Sequence, residues 1–296
     1  MEWNHRTPPV DVGLVGAGPW AATMHGPVLA AGPETRLAAV WARRAGAAGE
    51  LAARLGTYAA VSYEDLLSRC EAVAFAVPPD VQAELAPRAA RAGKALLLEK
   101  PLALDPGGAR AVAEAVAEAG VVTQLVLTKR YHPATRAFLS AAADFDATGA
   151  RSRYLHGAFL NGSMATGWRL TRGALYDLGP HLLDLAGAAL GPIEQVHATG
   201  DSRRWIELTC RHHGGAVSQM SLSGAVGLTA SDAGIELYGP AGVLALDFGA
   251  VDHGQCWPVL RAEFAAAVRA GVPHVLDVRH GLMLQELLDR AAVSVR

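Results

Sequence analysis

The segment "VGLVGAGPWA", Val12 to Ala21, decides how the chain is read. An apolar run ends in Gly16 and Gly18, and a helix-like stretch, "PWAATMHGPVLAAG", follows at once. Gly16 would permit a tight turn. Gly18 would let the backbone approach a pyrophosphate at the start of a helix. Ala21 holds the third position of the fingerprint, where alanine is permitted, and Pro19 suits an early helical site because it has no N–H to satisfy. A glycine pattern alone is a modest signal, and a ligand-free glycine turn is its plain rival. Its strand–turn–helix setting points to dinucleotide binding.

Outward from this turn, apolar strands alternate with alanine-rich helices through residue 127. "TRLAAVWA", "EAVAFAV", "ALLLEKP" and "VVTQLVLTKR" read as strands, and "AGAAGELAARLG", "PDVQAELAPRAARAG" and "DPGGARAVAEAVAEAG" as helices. Pro87 is expected to bend or divide the second of these helices. Ser62 with Asp65 reads as a capping box before a short helix. Strands apolar on both faces, with helices between them, imply a parallel sheet.

From residue 128 the pattern changes. A helix is expected over 133–143, and a long strand over "RSRYLHGAFL". Further strands are expected over 193–199, 205–213, 216–224, 234–239 and 243–248, with two closing helices. The expectation is an α/β protein: a Rossmann domain over 1–127, then an α+β domain over 128–296 with a large open, mainly antiparallel sheet. The last helix is expected to pack back toward the first domain.

Composition excludes several classes. The 296 residues are 51% hydrophobic and 18% charged, with a formal net charge of −2. That is a globular balance with no basic block for nucleic acid or anionic lipid. The start, "MEWNHRTPP", has no apolar core of a secretory signal, and no uncharged run reaches bilayer-spanning length. Cys70, Cys210 and Cys256 are scattered without metal-ligand spacing. A cytoplasmic protein without structural disulfides is expected.

Cofactor choice rests on the end of the second strand. An NAD site usually carries an acid there; "LAAVWARRAG" has Arg43 and Arg44 instead. A guanidinium matches a 2′-phosphate, so NADP is favoured over NAD, against the plain reading of a solvated basic turn.

Two further stretches carry candidate chemistry. "LLLEKPLAL" puts Glu99, Lys100 and Pro101 at a strand exit, where ligands of open parallel sheets collect. "GALYDLGPHLLDL", Gly173 to Leu185, spaces Asp177, His181 and Asp184 by four and three. One helix would stack Asp177 on His181. A structural, hydrogen-bonded histidine is an equal alternative. No cysteine or second histidine completes a zinc set, so no metal is expected.

Together these motifs resemble the Gfo/Idh/MocA oxidoreductases, the relatives of glucose–fructose oxidoreductase and inositol dehydrogenase. The resemblance runs from "VGLVGAGPWA" through "AVPP" and "LLLEKPLAL" to "GALYDLGPHLLDL" and the closing helix. It implies hydride transfer between NAD(P) and a sugar, cyclitol or related polyol. It assigns Lys100, Asp177 and His181 to catalysis: the histidine moves the proton of the reacting oxygen, the lysine orients substrate and tunes that proton transfer, and the aspartate positions substrate and supports the histidine. It places Gly16, Gly18, Pro19, Trp20, Ala21, Ala76, Pro78, Glu99, Trp168 and Arg169 near the cofactor, and implies a homodimer or homotetramer through the second-domain sheet. Gln82 departs from the histidine common in the family, which bears on substrate range. The alternatives are a cofactor-binding sensor without catalysis and, at lower weight, a glycosidase that uses NAD transiently.

Overall fold

The computed structural model describes residues 8–161 and 165–295, so most of the opening stretch "MEWNHRTPP" lies outside the described residues. The chain divides into two compact units. The first runs up to Val126 and takes in Trp257–Leu282; the second comprises Leu127–Cys256 and the chain from Met283 on.

In the first unit the apolar runs form a wholly parallel sheet. Its strands are β1 (Val10–Val15), β2 (Thr35–Trp41), β3 (Tyr58–Ala59), β4 (Ala72–Phe75), β5 (Ala95–Leu98) and β6 (Thr123–Leu125), in the order β3-β2-β1-β4-β5-β6. Every residue of β4 and β5 is buried, as strands covered on both faces must be. Fully burying side chains such as Phe75, Leu96, Leu97 and Leu98 contributes about 1.5–3 kcal/mol each. The order reverses between β1 and β4, which is where such sheets open a ligand crevice.

The connecting helices are α1 (Gly26–Ala31), α2 (Ala45–Leu55), α3 (Tyr63–Ser68), α4 (Pro79–Arg91) and α5 (Pro106–Ala119). Ahead of α1, Ala21–His25 forms a π-helical turn rather than the start of one regular helix. Ser62 Oγ caps α3 by accepting from Asp65 N at 3.0 Å. The Asp65 carboxylate turns to Val61 N, at 3.0 Å, instead of completing the expected box on Ser62. Pro87 does not divide α4, which runs unbroken with that proline buried inside it. The "VVTQLVLTKR" strand is short: β6 ends at Leu125, and Thr128–Tyr131 is a 3-10 turn.

A late segment returns to this unit. Helix α9 (His253–Ala270) contributes its residues from Trp257 onward. Gln124 Nε2 donates to Leu260 O at 3.0 Å, and Arg261 Nε meets Glu34 at 2.7 Å in a buried pair.

The second unit is built on a mixed sheet. Its strands are β7 (Gly149–Leu155), β8 (Ile193–Asp201), β9 (Trp205–His212), β10 (Val217–Ser223), β11 (Asp232–Gly239) and β12 (Gly242–Asp247), in the order β12-β11-β7-β10-β9-β8. All pairs are antiparallel except β7 with β10. β9 alternates exposed and buried positions, the mark of a sheet covered on one face. The expected strand over "RSRYLHGAFL" stops at Leu155. Helix α6 (Pro133–Ala142) precedes the sheet, α7 (Gly167–Asp177) and α8 (Gly179–Leu190) follow β7, and α10 (Val278–Ser294) closes the chain. Leu182, Leu183, Leu185 and Ala186 of α8 are buried, and α8 packs on β7 and β10.

Candidate functional site

In the first unit the predicted residues gather where parallel strands end. Gly16 follows β1 with φ +119°, and a Cβ there would lie 2.3 Å from Ala76 O, so only glycine allows this approach. A Cβ on Gly18 would meet nothing within 4 Å, which leaves the turn open to a ligand on its outer side. Pro19 is exposed, Trp20 half-buried and Ala21 buried as the following turn begins. Ala76 N bonds Val15 O at 2.8 Å, joining the β4 exit to that of β1, and Pro78 caps α4. This backbone-lined turn fits a dinucleotide pyrophosphate.

Arg43 and Arg44 lie just past β2, and both are exposed. The sequence at this strand exit, Trp41 to Gly46, contains no acid.

Glu99 and Lys100 follow β5 and are half-buried. Glu99 Oε1 accepts from Trp20 Nε1 at 2.7 Å and meets His25 Nε2 at 2.8 Å. Burial pushes the Glu99 carboxyl up, but the His25 hydrogen bond and charge, the Lys100 charge and the Trp20 bond outweigh it and hold the group below its usual range. Fully buried Gln82 grips the same loop. It accepts from Glu99 N at 2.8 Å and donates to Glu99 O at 2.8 Å and Leu102 O at 3.1 Å. Its partners are the backbone of the "EKPL" stretch, although in the sequence this departure pointed to substrate range.

In the second unit the helical stretch is two helices rather than one. Pro180 cannot donate a backbone hydrogen bond, and the register resets: Leu178 N bonds Ala174 O at 2.8 Å, while His181 N bonds Leu178 O at 3.1 Å. Asp177 ends α7 and His181 lies in the first turn of α8; they are 6% and 8% exposed. Asp184 is a structural group, paired with Arg130 at 2.6 Å.

A second bend lies inside α7. Gly173 has φ +72°, and a Cβ there would lie 2.1 Å from Ser202 O. Ser202 holds the bend: its carbonyl accepts from Ala174 N at 2.7 Å, and its Oγ accepts from Leu175 N at 3.0 Å and donates to Arg172 O at 2.7 Å. Across this bend Arg169 Nε reaches Asp177 Oδ2 at 3.2 Å and NH1 reaches Thr166 Oγ1 at 3.2 Å. The Arg169 guanidinium lies 4.6 Å over the Trp168 ring. Tyr154, from β7, sets its ring 6.1 Å from that of His181. Burial, then the Asp177 charge, pushes the Tyr154 hydroxyl up to about 12, so it remains a neutral donor near pH 7.

Several site neighbours escape sequence reading. Tyr154 lies in an ordinary strand pattern, and Thr166 in a loop. His25 is a lone histidine in an alanine-rich stretch, and Trp257 lies 158 residues beyond Glu99 in number. The glycine turn, the short strand-exit motif and the Asp177–His181 spacing are the local signals. Cys70, buried and with its thiol pushed up to about 11 by that burial, is packing material.

Residues 10–126 match the oxidoreductase family with an NAD-binding Rossmann fold, and residues 148–245 match the GFO/IDH/MocA C-terminal domain. The chain belongs to the Gfo/Idh/MocA oxidoreductase family. It is 29% identical over 264 residues to a dTDP-3,4-didehydro-2,6-dideoxy-alpha-D-glucose 3-reductase of Streptomyces violaceoruber, covering 85% of this chain and 77% of that one. It is 28% identical over 163 residues to levoglucosan dehydrogenase of Pseudarthrobacter phenanthrenivorans, covering 52% of this chain and 41% of that one; the match spans less than half that relative's length. In fold it is similar to GenD2 from gentamicin A biosynthesis, solved in complex with NAD, with a TM-score of 0.86, 24% identity, and 99% and 96% of the two chains covered. Among the described residues no helix is long and apolar enough to cross a membrane.

Proposed function

We propose that this Gfo/Idh/MocA member is an NAD(P)-dependent oxidoreductase that interconverts a secondary alcohol and a ketone on a sugar, cyclitol or related polyol. One observation carries the reading. The family's dinucleotide turn is intact in the first unit, and the same chain keeps Lys100 at the β5 exit and Asp177 and His181 at the α7–α8 junction. The named relatives act on sugars, which supports that substrate class.

The nicotinamide supplies a hydride acceptor or donor when bound. Gly16 and Gly18 would cradle the dinucleotide's pyrophosphate, with Ala76, Pro78, Trp20 and Glu99 bordering the same strand ends. His181 takes the proton from the reacting hydroxyl, or returns it to the carbonyl, a task imidazole performs near neutral pH. The Lys100 ammonium stabilises negative charge that develops on that oxygen. Asp177, held by Arg169, orients the substrate hydroxyls, and Trp168 backs the Arg169 guanidinium.

Within this proposal the preferred cofactor is NADP. Support comes from two exposed guanidiniums, Arg43 and Arg44, at a β2 exit that lacks an acid. The reading also includes a cytoplasmic location and a homodimer or homotetramer joined through the second-unit sheet. Steady-state assays over a panel of sugars and cyclitols, with each cofactor, test the activity. Reduction of NADP with at least one panel member is expected; cofactor binding without turnover of any polyol would contradict the reading.

A further inference from the structure

Glu99, next to Lys100 in the chain, has several side-chain partners, and one of them has no stated role. His25 is fully buried, and its Nε2 meets Glu99 Oε1 at 2.8 Å. Its Nδ1 is also buried and has no hydrogen-bond partner among the described residues. The ring stands edge-on to Trp257 at 4.9 Å and to Trp20 at 6.5 Å. All four residues belong to the first unit. Burying an imidazole with one nitrogen unsatisfied is costly to folding. A small apolar residue would suit this alanine-rich turn without that cost, so packing alone does not account for a histidine.

The carboxylate that His25 holds is joined to the proposed catalytic lysine. Glu99 Oε2 accepts from Lys100 N at 3.3 Å, and the Lys100 charge bears on the same carboxylate. Gln82 fixes the Glu99 backbone from the opposite side of the loop. Two buried side chains therefore restrain Glu99: Gln82 its main chain and His25 its carboxylate.

We propose that His25 is a positioning residue for Lys100: it fixes the direction of the Glu99 carboxylate, and that carboxylate fixes the lysine beside it. Trp20 shares the carboxylate oxygen with His25, so the bracket also ties Lys100 to the dinucleotide turn. The proposal rests on the assignment of Lys100 to the reaction.

The chain has three lysines, Lys94, Lys100 and Lys129, which makes a direct readout practicable. Methylation with 13C-formaldehyde gives each accessible lysine its own NMR signal, and Lys100→Ala identifies the signal of Lys100. In cofactor-free protein the Lys100 signal is expected away from the position of a freely exposed lysine. His25→Ala and Glu99→Gln should each move it toward that position, with Lys94 unchanged. His25→Gln, which can present an amide N–H where Nε2 lies, should largely restore it. In turnover, His25→Ala should lower kcat by about 10- to 100-fold while the KM for cofactor changes by less than about threefold.

A Lys100 signal unmoved in both His25→Ala and Glu99→Gln overturns the proposal. A loss confined to cofactor KM overturns it as well. If His25→Ala fails to fold, His25→Gln and Glu99→Gln carry the test: the first should retain the Lys100 signal and the second should move it. If Lys100→Ala keeps wild-type turnover, the functional assignment fails, and the NMR shifts still decide whether His25 and Glu99 hold the lysine.

Discussion

Lys100 and His181 are held in place by different means. Lys100 leaves a strand with every residue buried, and its neighbours are gripped by Gln82 and His25. His181 sits past two helix irregularities, a bend at Gly173 stapled by Ser202 and a register reset at Pro180. The strand exit is defined largely by its own short motif and the parallel sheet behind it. The helical pair depends on a residue 29 positions beyond Gly173 to set its geometry. Sites at strand ends inherit position from the sheet, whereas sites on bent helices need distant residues to fix the bend.

The comparison can be broken first through chemistry. Lys100→Ala and His181→Ala should each lower kcat by about 10²- to 10⁴-fold in steady-state assays, since the proposal assigns each a part in the reaction. Retained turnover in one of them would remove that residue from the reaction and leave only the other end intact.

The next effect concerns the helix bend. Gly173→Ala forces a Cβ into positive φ and onto Ser202 O, and should cost on the order of 3 kcal/mol in chemical denaturation. Ser202→Ala keeps its backbone bond to Ala174 and loses both Oγ bonds. It should cost about 1–2 kcal/mol and raise the substrate KM more than the cofactor KM. A Ser202→Ala enzyme unchanged in both stability and KM would show that α7 holds its bend unaided.

The smallest effect is electrostatic and belongs to the first unit. The Arg269 hydrogen bond, opposed by burial and aided by Asp11 N, lowers the Glu71 carboxyl to about 2. A folded value below the unfolded one means this group stabilises the fold fully above about pH 4.3. That contribution is lost as pH falls from there toward 2. Glu71 is 46% exposed, so the contribution is below about 1 kcal/mol. Glu71→Gln should lower stability near neutral pH by less than about 1 kcal/mol, leave it almost unchanged near pH 2, and so flatten the acid limb of the stability curve slightly.

Local signals account for most of the architecture. The glycine turn, the apolar strands β1, β4 and β5, and the alternating strands of the second sheet are all legible from periodicity. β3, only Tyr58–Ala59, is too short to stand out from its loop. Pro87 reads as a helix breaker, yet α4 continues through it within a buried face, a case of packing overriding propensity. The i, i+4 spacing of Asp177 and His181 suggests one helix, and Pro180 resets it. Tyr154, Ser202, His25 and Trp257 are invisible in the sequence because long-range packing brings each to its partners.

The central claim is hydride transfer assisted by Lys100 and His181. The most direct test follows deuterium from the oxidised carbon of labelled sugars and cyclitols onto NADP or NAD by mass spectrometry, in wild type and in Lys100→Ala and His181→Ala. The account predicts one deuterium on the nicotinamide in wild type and loss of that transfer in both variants. Deuterium absent from the nicotinamide while cofactor still binds, or transfer undiminished in both variants, would contradict it.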